Sequence, residues 1–562
     1  MRKRRRAPVN RRIRLLLGVL VLVFAALLGR AAWLQGVRAE SLGRMAAKQH
    51  RETIALPAPR GTIFDRNGEV LAIGEQATTV YADPQQVRSP RAVATAAAQT
   101  LGIDGDALYE RLVARRGSFL YVERKADARK AAALAKRHLA GLFFYPEERR
   151  TYPQASVASH VLGYAGVDNK GLAGLELKFD KVLSGKPGSE TIVRDPFGQA
   201  IDVVAERPER AGRDVFLTLD QTIQANAELT LRQTVSKWHA KSGTAIVLDP
   251  RTGDVLAMAV APGFNANRFG QTPPAVSRNR AVTDVYEPGS TFKLMTVAGV
   301  LSDGLVTPNT SFVLPYSIHV ADRVVHDAEE RGTETMSVAR ILAQSSNVGA
   351  ITLAERLGRD RLYNWIRRFG FGQRTGIGFP GETPGFVLTP NQWSGSTIGN
   401  VPIGQGIAVT AVQMAAAYGA VANKGVWVQP HLVDHVQGHP RRKTHARRIL
   451  SRTIAAELNA MLQNVVTEGT GAYAAVPGYK VAGKTGTAQK PDSHGGYASN
   501  RYVASFVGMV PASNPQLVIL VAVDEPQGAI WGGVVAAPAF AQIASYDLQY
   551  LEVPPDGLPT RG

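Results

Sequence analysis

The chain has 562 residues, room for two or three domains, and an apolar fraction of 45%, ordinary for a sequence that folds around a core. The absence of cysteine excludes a disulfide frame, a thiol nucleophile and a cysteine-type metal site. Of the net charge of +19, the first 14 residues, MRKRRRAPVNRRIR, hold eight Arg and Lys and no acid, and the remaining +11 is diffuse, a solvated surface and not a nucleic-acid footprint.

Behind the basic tail (1–12) runs LLLGVLVLVFAALLG (15–29), and the apolar stretch from Ile13 to Leu34 counts 22 residues, enough to span a bilayer. No small-residue cleavage site follows it, so it reads as a retained transmembrane helix and not as a signal peptide. Arg14 and Arg30 would snorkel to opposite interfaces, with Trp33 in the outer belt. The charge asymmetry places the N-terminus in the cytoplasm and everything from about residue 35 outside it.

Residues 35–214 are rich in short strand-like runs and turns. APRGTIFDRNGEVLAIG (58–74) reads as strand, Asn-Gly turn, strand, and ADARKAAALAKRH (126–138) as a helix. From residue 215 the pattern changes. A long amphipathic helix is expected over about 220–240, a hairpin over GTAIVLDPRTGDVLAMAVA (243–261), a largely helical middle (290–470), a second hairpin over 502–526, and a closing helix in PAFAQIASYDLQYL (538–551). Strands on either side of a helical middle imply an antiparallel sheet with helices on both faces and an inserted helical lobe. The basic loop HPRRKTHARR (439–448) reads as solvated surface.

GYKVAGKT (478–485) matches the phosphate-loop pattern G-x-x-x-x-G-K-[ST]. In a true phosphate loop a helix follows, but GTAQKPDSHGG contains Gly486, Pro491, Gly495 and Gly496 and cannot sustain one. The segment also lies outside the cell's ATP pool, and KVAGKTGTAQ is read as an edge strand, with Lys484, Thr485 and Thr487 lining one side of a cleft. GTGAYA (469–474) resembles a dinucleotide fingerprint but follows a helical run, so it is set aside.

Three short motifs then fall in order. Ser290 follows the Pro288-Gly289 break with Lys293 three residues on, placing hydroxyl and amine on one helical turn. The continuation FKLMTVAGVL is apolar nearly all round. Burial there lowers a lysine pKa and makes a neutral amine available as base. The helix N-terminus also offers the Ser290 backbone N–H to a developing oxyanion. Ser345-Ser346-Asn347 stands 55 residues after Ser290 and also reads as a helix N-cap cluster. Lys484-Thr485-Gly486 follows 137 residues beyond Asn347. His319, His326 and Asp327 are close in sequence but read as a surface hairpin and not as a metal set.

With RGTIFDRNG, GLAGLE, EPGSTFK, SSN and AGKTGTAQ, the chain resembles the class B penicillin-binding proteins, D,D-transpeptidases of the bacterial wall, over nearly its whole length. The resemblance implies an α+β protein: transmembrane helix 13–34, an elongated β-rich pedestal domain 35–214 of the non-catalytic dimerisation type, a transpeptidase domain 215–550 and a tail 551–562. It implies Ser290 as nucleophile, Lys293 as its base, Ser345 as proton shuttle to the leaving amine and Asn347 as holder of the acyl-side amide. Lys484 would supply positive charge, and Thr485 and Thr487 would bind the substrate carboxylate, with Gly486 part of the same substrate-binding stretch. The Ser290 and Thr487 N–H groups would form the oxyanion hole. Peptidoglycan stem peptides and β-lactams are the implied ligands, and a membrane-embedded glycosyltransferase and division proteins the implied partners, with no cofactor, metal or nucleic acid. The implied location is the bacterial inner membrane.

A class A β-lactamase is excluded because E-x-x-L-N is missing between Asn347 and Lys484, Glu457 standing wrongly spaced. Residues 35–214 show no glycosyltransferase domain, and a carboxypeptidase using water stays chemically open. A non-enzymatic β-lactam sensor would carry further transmembrane helices. NRAVTDVYEPGSTFK and FGFGQRTGIGFPGE resemble the septal, cell-division type, the elongation type tending to have a second proline where Glu287 stands.

Overall fold

The computed structural model describes residues 9–42, 51–114, 116–194, 200–492 and 496–557. Residues 1–8 of the basic tail, 493–495 after the Lys484 segment and 558–562 of the C-terminal tail therefore lie outside the described residues. The chain divides into two compact units, Met1–Ala58 with Gly185–Ala211, and Pro59–Ser184 with Gly212–Gly562.

In the first unit, the helix Val9–Ala32 continues as a π-helical turn, Trp33–Val37. Its apolar side chains, Leu15, Leu22 and Phe24 among them, are exposed all round, and the span Arg11–Val37 is long and apolar enough to cross a membrane. The Arg38 guanidinium lies 4.6 Å from the Trp33 ring centroid, an aromatic–cationic end to the apolar stretch. Strands Arg51–Leu56, Gly188–Arg194 and Ala200–Arg207 form an antiparallel sheet with Gly188–Arg194 in the middle.

In the second unit, RGTIFDRNG explains itself through buried polar bonds. The Arg60 Nε donates to Glu176 Oε2 at 2.8 Å, and Arg150 Nε donates to Glu176 Oε1 at 2.6 Å. Glu176 belongs to GLAGLE, so the two signatures meet as one Arg–Glu–Arg triad with side chains 0–2% exposed. Asp65 Oδ1 accepts from the N–H groups of Asn67 (2.7 Å) and Glu69 (2.8 Å) and so shapes the Asn-Gly turn. Its Oδ2 accepts from the Gln221 N–H at 3.0 Å, in the first turn of helix Gln221–Lys237.

The turn joins strand Ile63–Phe64 to a second strand, Val70–Ala82, that runs well past residue 74. That strand pairs with Leu120–Asp127 and Leu142–Thr151, and helices Pro90–Leu101, Gly105–Val113 and Ala128–Ala135 cover one face with their own core. The helix expected over 126–138 is therefore shorter. Ala126 and Asp127 end a strand, and the Asp127 carboxylate caps the helix by accepting from the Arg129 and Lys130 N–H groups.

The five-stranded antiparallel sheet runs in the order Val255–Ala261, Ser242–Leu248, Leu517–Asp524, Tyr497–Val510, Ala482–Pro491. Both hairpins and the closing helix, Ala537–Tyr550, form as the patterning predicts. Alternate residues of each strand enter different cores. Ala245, Val247, Phe506, Ile519 and Val521 pack with helices Gln221–Lys237 and Ala537–Tyr550, whereas Ile246, Leu248, Val507, Met509 and Leu520 pack with the helical lobe. That double burial is why these strands read as continuous apolar runs. The lobe also holds two short hairpin pairs, Ser311–Leu314 with Glu334–Ser337 and Ser317–Val320 with Arg323–His326. In the basic loop, strand Ala446–Arg448 pairs with Val426–Val428. Arg447 is not simply solvated there: it lies 4.8 Å from the Trp427 ring centroid and donates to the Arg368 carbonyl oxygen at 2.6 Å.

Candidate active site

Pro288 precedes a short 3-10 turn, Gly289–Phe292, that runs into helix Lys293–Ser302. The turn leaves Ser290 partly exposed, while Lys293 through Leu301 are all buried. The Lys293 amine shares that burial, being 1% exposed. Burial disfavours the ammonium and pulls its pKa down to about 7, with the Asp327 carboxylate opposing. Nζ donates to Asn347 Oδ1 at 2.7 Å, to Ser345 Oγ at 3.2 Å and to the Ser345 carbonyl oxygen.

Ser345 sits at φ +59° between helices Val338–Ala343 and Asn347–Leu357. Ser346 Oγ accepts from the Gly349 N–H at 2.9 Å, so the triplet is also the helix cap that its sequence suggests. Asn347 Nδ2 donates to the His326 carbonyl oxygen at 3.0 Å, which leaves both ends of the amide occupied.

The strand Ala482–Pro491 lies at the sheet edge, beginning at Ala482 and not at Lys480. A Cβ on Gly486 would stand 2.5 Å from Ser505 Oγ and 2.9 Å from the Pro288 carbonyl oxygen, so glycine lets the strand lie against the serine turn. Lys484 is fully buried, and burial, followed by repulsion from Lys293, pushes its pKa well below the ordinary lysine value. Its Nζ donates to Thr485 Oγ1 at 3.2 Å, and the Thr485 and Thr470 hydroxyls lie 2.6 Å apart. Thr487 Oγ1 accepts from the Gly532 N–H at 3.1 Å. Glu287 Oε1 accepts from the Gly406 N–H at 2.9 Å and the Tyr497 hydroxyl at 3.3 Å, tying two segments to the residue before Pro288.

The expected surface hairpin over His319, His326 and Asp327 needs one correction. Both histidines lie in the hairpin strands, and His319 is exposed, but Asp327 is buried and turns inward to bond the Ser346-Asn347 segment. Locally, a carboxylate next to two histidines reads as part of a hairpin surface, and only the tertiary fold shows its partners. Thr470 is hidden for a similar reason: it lies between the glycines of GTGAYA, and only the fold brings its hydroxyl to Thr485.

A hydroxyl one turn before a buried amine whose pKa is pulled down to about 7 suits the chemistry of serine acyl transfer. The comparisons with known proteins agree. Residues 243–545 match the penicillin binding protein transpeptidase domain and residues 55–217 the penicillin-binding protein dimerisation domain. The chain belongs to the penicillin-binding protein transpeptidase family. It is 33% identical to a peptidoglycan D,D-transpeptidase FtsI of Escherichia coli, covering 98% of this chain and 94% of that protein. It is 35% identical to a penicillin-binding protein PbpB of Mycolicibacterium smegmatis, covering 95% and 89%. Among solved structures, penicillin binding protein 3 of Mycobacterium tuberculosis, complexed with aztreonam, superposes with a TM-score of 0.70 at 32% identity, over 89% of this chain and 98% of that one.

Proposed function

We propose that the protein is a peptidoglycan D,D-transpeptidase of the division septum that cross-links stem peptides through an acyl-enzyme on Ser290 and is acylated there by β-lactams. The observation that carries this reading is the buried Lys293 amine, its pKa pulled down to about 7, one turn from Ser290 and bonded to Ser345 and Asn347. Lys293 takes the Ser290 proton as Oγ attacks the penultimate D-Ala carbonyl carbon. The oxyanion of the tetrahedral intermediate faces the Ser290 and Thr487 N–H groups, the latter on an edge strand. As the C–N bond breaks, Ser345 passes a proton to the departing D-Ala amine, leaving an ester on Ser290. An acceptor amine then attacks the ester, loses a proton and returns Ser290 to its hydroxyl form.

Lys484 is depressed by burial in the free site, and an incoming carboxylate favours its ammonium form. Binding of the anionic substrate thus supplies the charge that Lys484 needs to hold it, beside the Thr485 and Thr487 hydroxyls and the Gly486 backbone. Asn347 reaches the acyl-side amide by giving up its bond to His326. The septal assignment is supported by the similarity to FtsI and by Glu287 before Pro288.

The same reading assigns residues 1–12 to the cytoplasm, 13–34 to the bacterial inner membrane, 35–214 to a pedestal, 215–550 to catalysis outside the cytoplasm and 551–562 to a tail. A membrane-embedded glycosyltransferase and other division proteins are its proposed partners, since glycan strands must be made before they are cross-linked. The test is incubation of the full chain in detergent with a stem-peptide donor ending in D-Ala-D-Ala and an amine acceptor. Cross-linked product and free D-Ala are expected from wild type and from neither in Ser290→Ala. D-Ala release with hydrolysed donor alone, at every acceptor concentration, would replace the transpeptidase reading with a carboxypeptidase.

A further inference from the structure

We propose that Asp327 is a positioning residue for acylation, fixing the Ser345-Ser346-Asn347 turn against Lys293 and balancing the charge of that buried amine. The proposal rests on Lys293 acting as the base for Ser290.

Asp327 follows the hairpin strand Arg323–His326 and is buried. Its Oδ1 accepts from the Asn347 N–H at 2.5 Å and the Val348 N–H at 3.0 Å, both in the first turn of helix Asn347–Leu357. The Ser346 hydroxyl lies 3.1 Å from Oδ1 and 3.0 Å from Oδ2. Oδ2 also accepts from Arg331 Nε at 3.0 Å and Nη2 at 2.5 Å. One carboxylate therefore holds three donors along the path of the chain from Ser346 to Val348, the Ser346 N–H alone going to the Ile341 carbonyl oxygen. That path decides where Ser345 Oγ and Asn347 Oδ1 stand, and those two atoms receive the Lys293 amine. Backbone N–H groups at a helix start bind a carboxylate strongly, and a charged acceptor roughly doubles the strength of each bond.

The electrostatic role is separable from the steric one. The groups that face the pair are Arg331 on the Asp327 side, Lys484 on the Lys293 side, and His326, whose Nδ1 lies 2.8 Å from the Asp327 carbonyl oxygen. Asp327 is the charge that opposes the loss of the Lys293 proton on burial. Without it, the amine becomes neutral at lower pH and is a weaker base.

The experiment measures the acylation rate of the full chain by a fluorescent penicillin between pH 5 and 9, in wild type, Asp327→Asn, Asp327→Glu and Arg331→Gln, with Ser290→Ala as the blank. In Asp327→Asn the rate falls by on the order of 10²-fold, the scale of misplacing a catalytic group by about an ångström. Its rise with pH also moves to lower pH. Arg331→Gln removes the opposing cation and moves the rise to higher pH, giving a signature of opposite sign even where Asp327→Asn folds poorly. Asp327→Glu keeps the charge on a longer arm, so the rate falls while the rise stays near its wild-type pH. A rise at the same pH in Asp327→Asn and Arg331→Gln, with wild type acylated normally at Ser290, overturns the proposal and leaves the transpeptidase reading intact. Absence of Ser290 acylation in wild type would overturn that reading instead.

Discussion

Lys293 and Lys484 put two amines into one buried site, and each is held towards its neutral form by the cost of burying charge. For Lys293 the consequence is kinetic. The fraction of neutral base grows through a pKa of about 7, so β-lactam acylation is expected to rise as pH passes that value. A pH-independent rate from 5 to 9 would mean that another group takes the Ser290 proton. The same depression costs stability. Because the unfolded amine keeps its proton up to its ordinary value of 10.5, the unfolded state binds more protons between about 7 and 10.5, and wild-type stability rises with pH across that window. Lys293→Met removes the cost. It is expected to lose acylation yet raise the melting temperature at pH 7, by a margin that shrinks towards pH 10, a trade of stability for function. Melting curves at pH 7, 8.5 and 10 check both the sign and the trend.

Among the elements, the pedestal signatures and the edge strand show most clearly what local sequence conveys. RGTIFDRNG and GLAGLE are legible as motifs, but the reason for them, the Arg60–Glu176–Arg150 triad, joins residues 116 and 26 positions apart and has no local pattern. Glu176→Ala leaves two guanidinium groups buried without their shared carboxylate and is expected to cost about 3–5 kcal/mol in denaturant unfolding. A loss below about 1 kcal/mol would show that Asp180, which Arg60 also contacts at 2.8 Å, suffices. Helix Pro90–Leu101 is not among the elements read from the sequence, although Ser89 before it, Pro90 in its first turn and Gly102 at φ +81° behind it are ordinary start and stop signals. By contrast, alanine content predicts too long a helix over 126–138, because the Asp127 cap sets its start and not the first alanine. The edge strand Ala482–Pro491 is legible despite its phosphate-loop spelling, since a glycine- and proline-bearing continuation cannot form the helix a phosphate needs.

At the scale of the molecule, the legible parts were those with strong local period: the apolar N-terminal helix, the two hairpins and the buried serine helix. What stayed hidden were single polar residues whose meaning lies in distant partners. Asp327 and Thr470 are two, and Asp547 is a third. Asp547 is buried in the closing helix, its Oδ1 accepts from Asn226 Nδ2 at 3.2 Å, and burial followed by repulsion from Asp220 raises its pKa from 3.8 to about 8. The native state therefore holds a proton that the unfolded chain releases, and the stability present below pH 3.8 is lost as pH rises towards about 8. Asp547→Asn, neutral at every pH, is expected to exceed wild type in melting temperature by a margin that widens up to about pH 8 and then levels. A constant margin would place the effect in packing and not in charge. The central claim, that Ser290 is the residue acylated, is tested most directly by treating the full chain with a penicillin and locating the added mass by peptide mass spectrometry. A single adduct on Ser290 is predicted, absent from Ser290→Ala. A stable adduct on another residue, or undiminished labelling of the alanine variant, would contradict it.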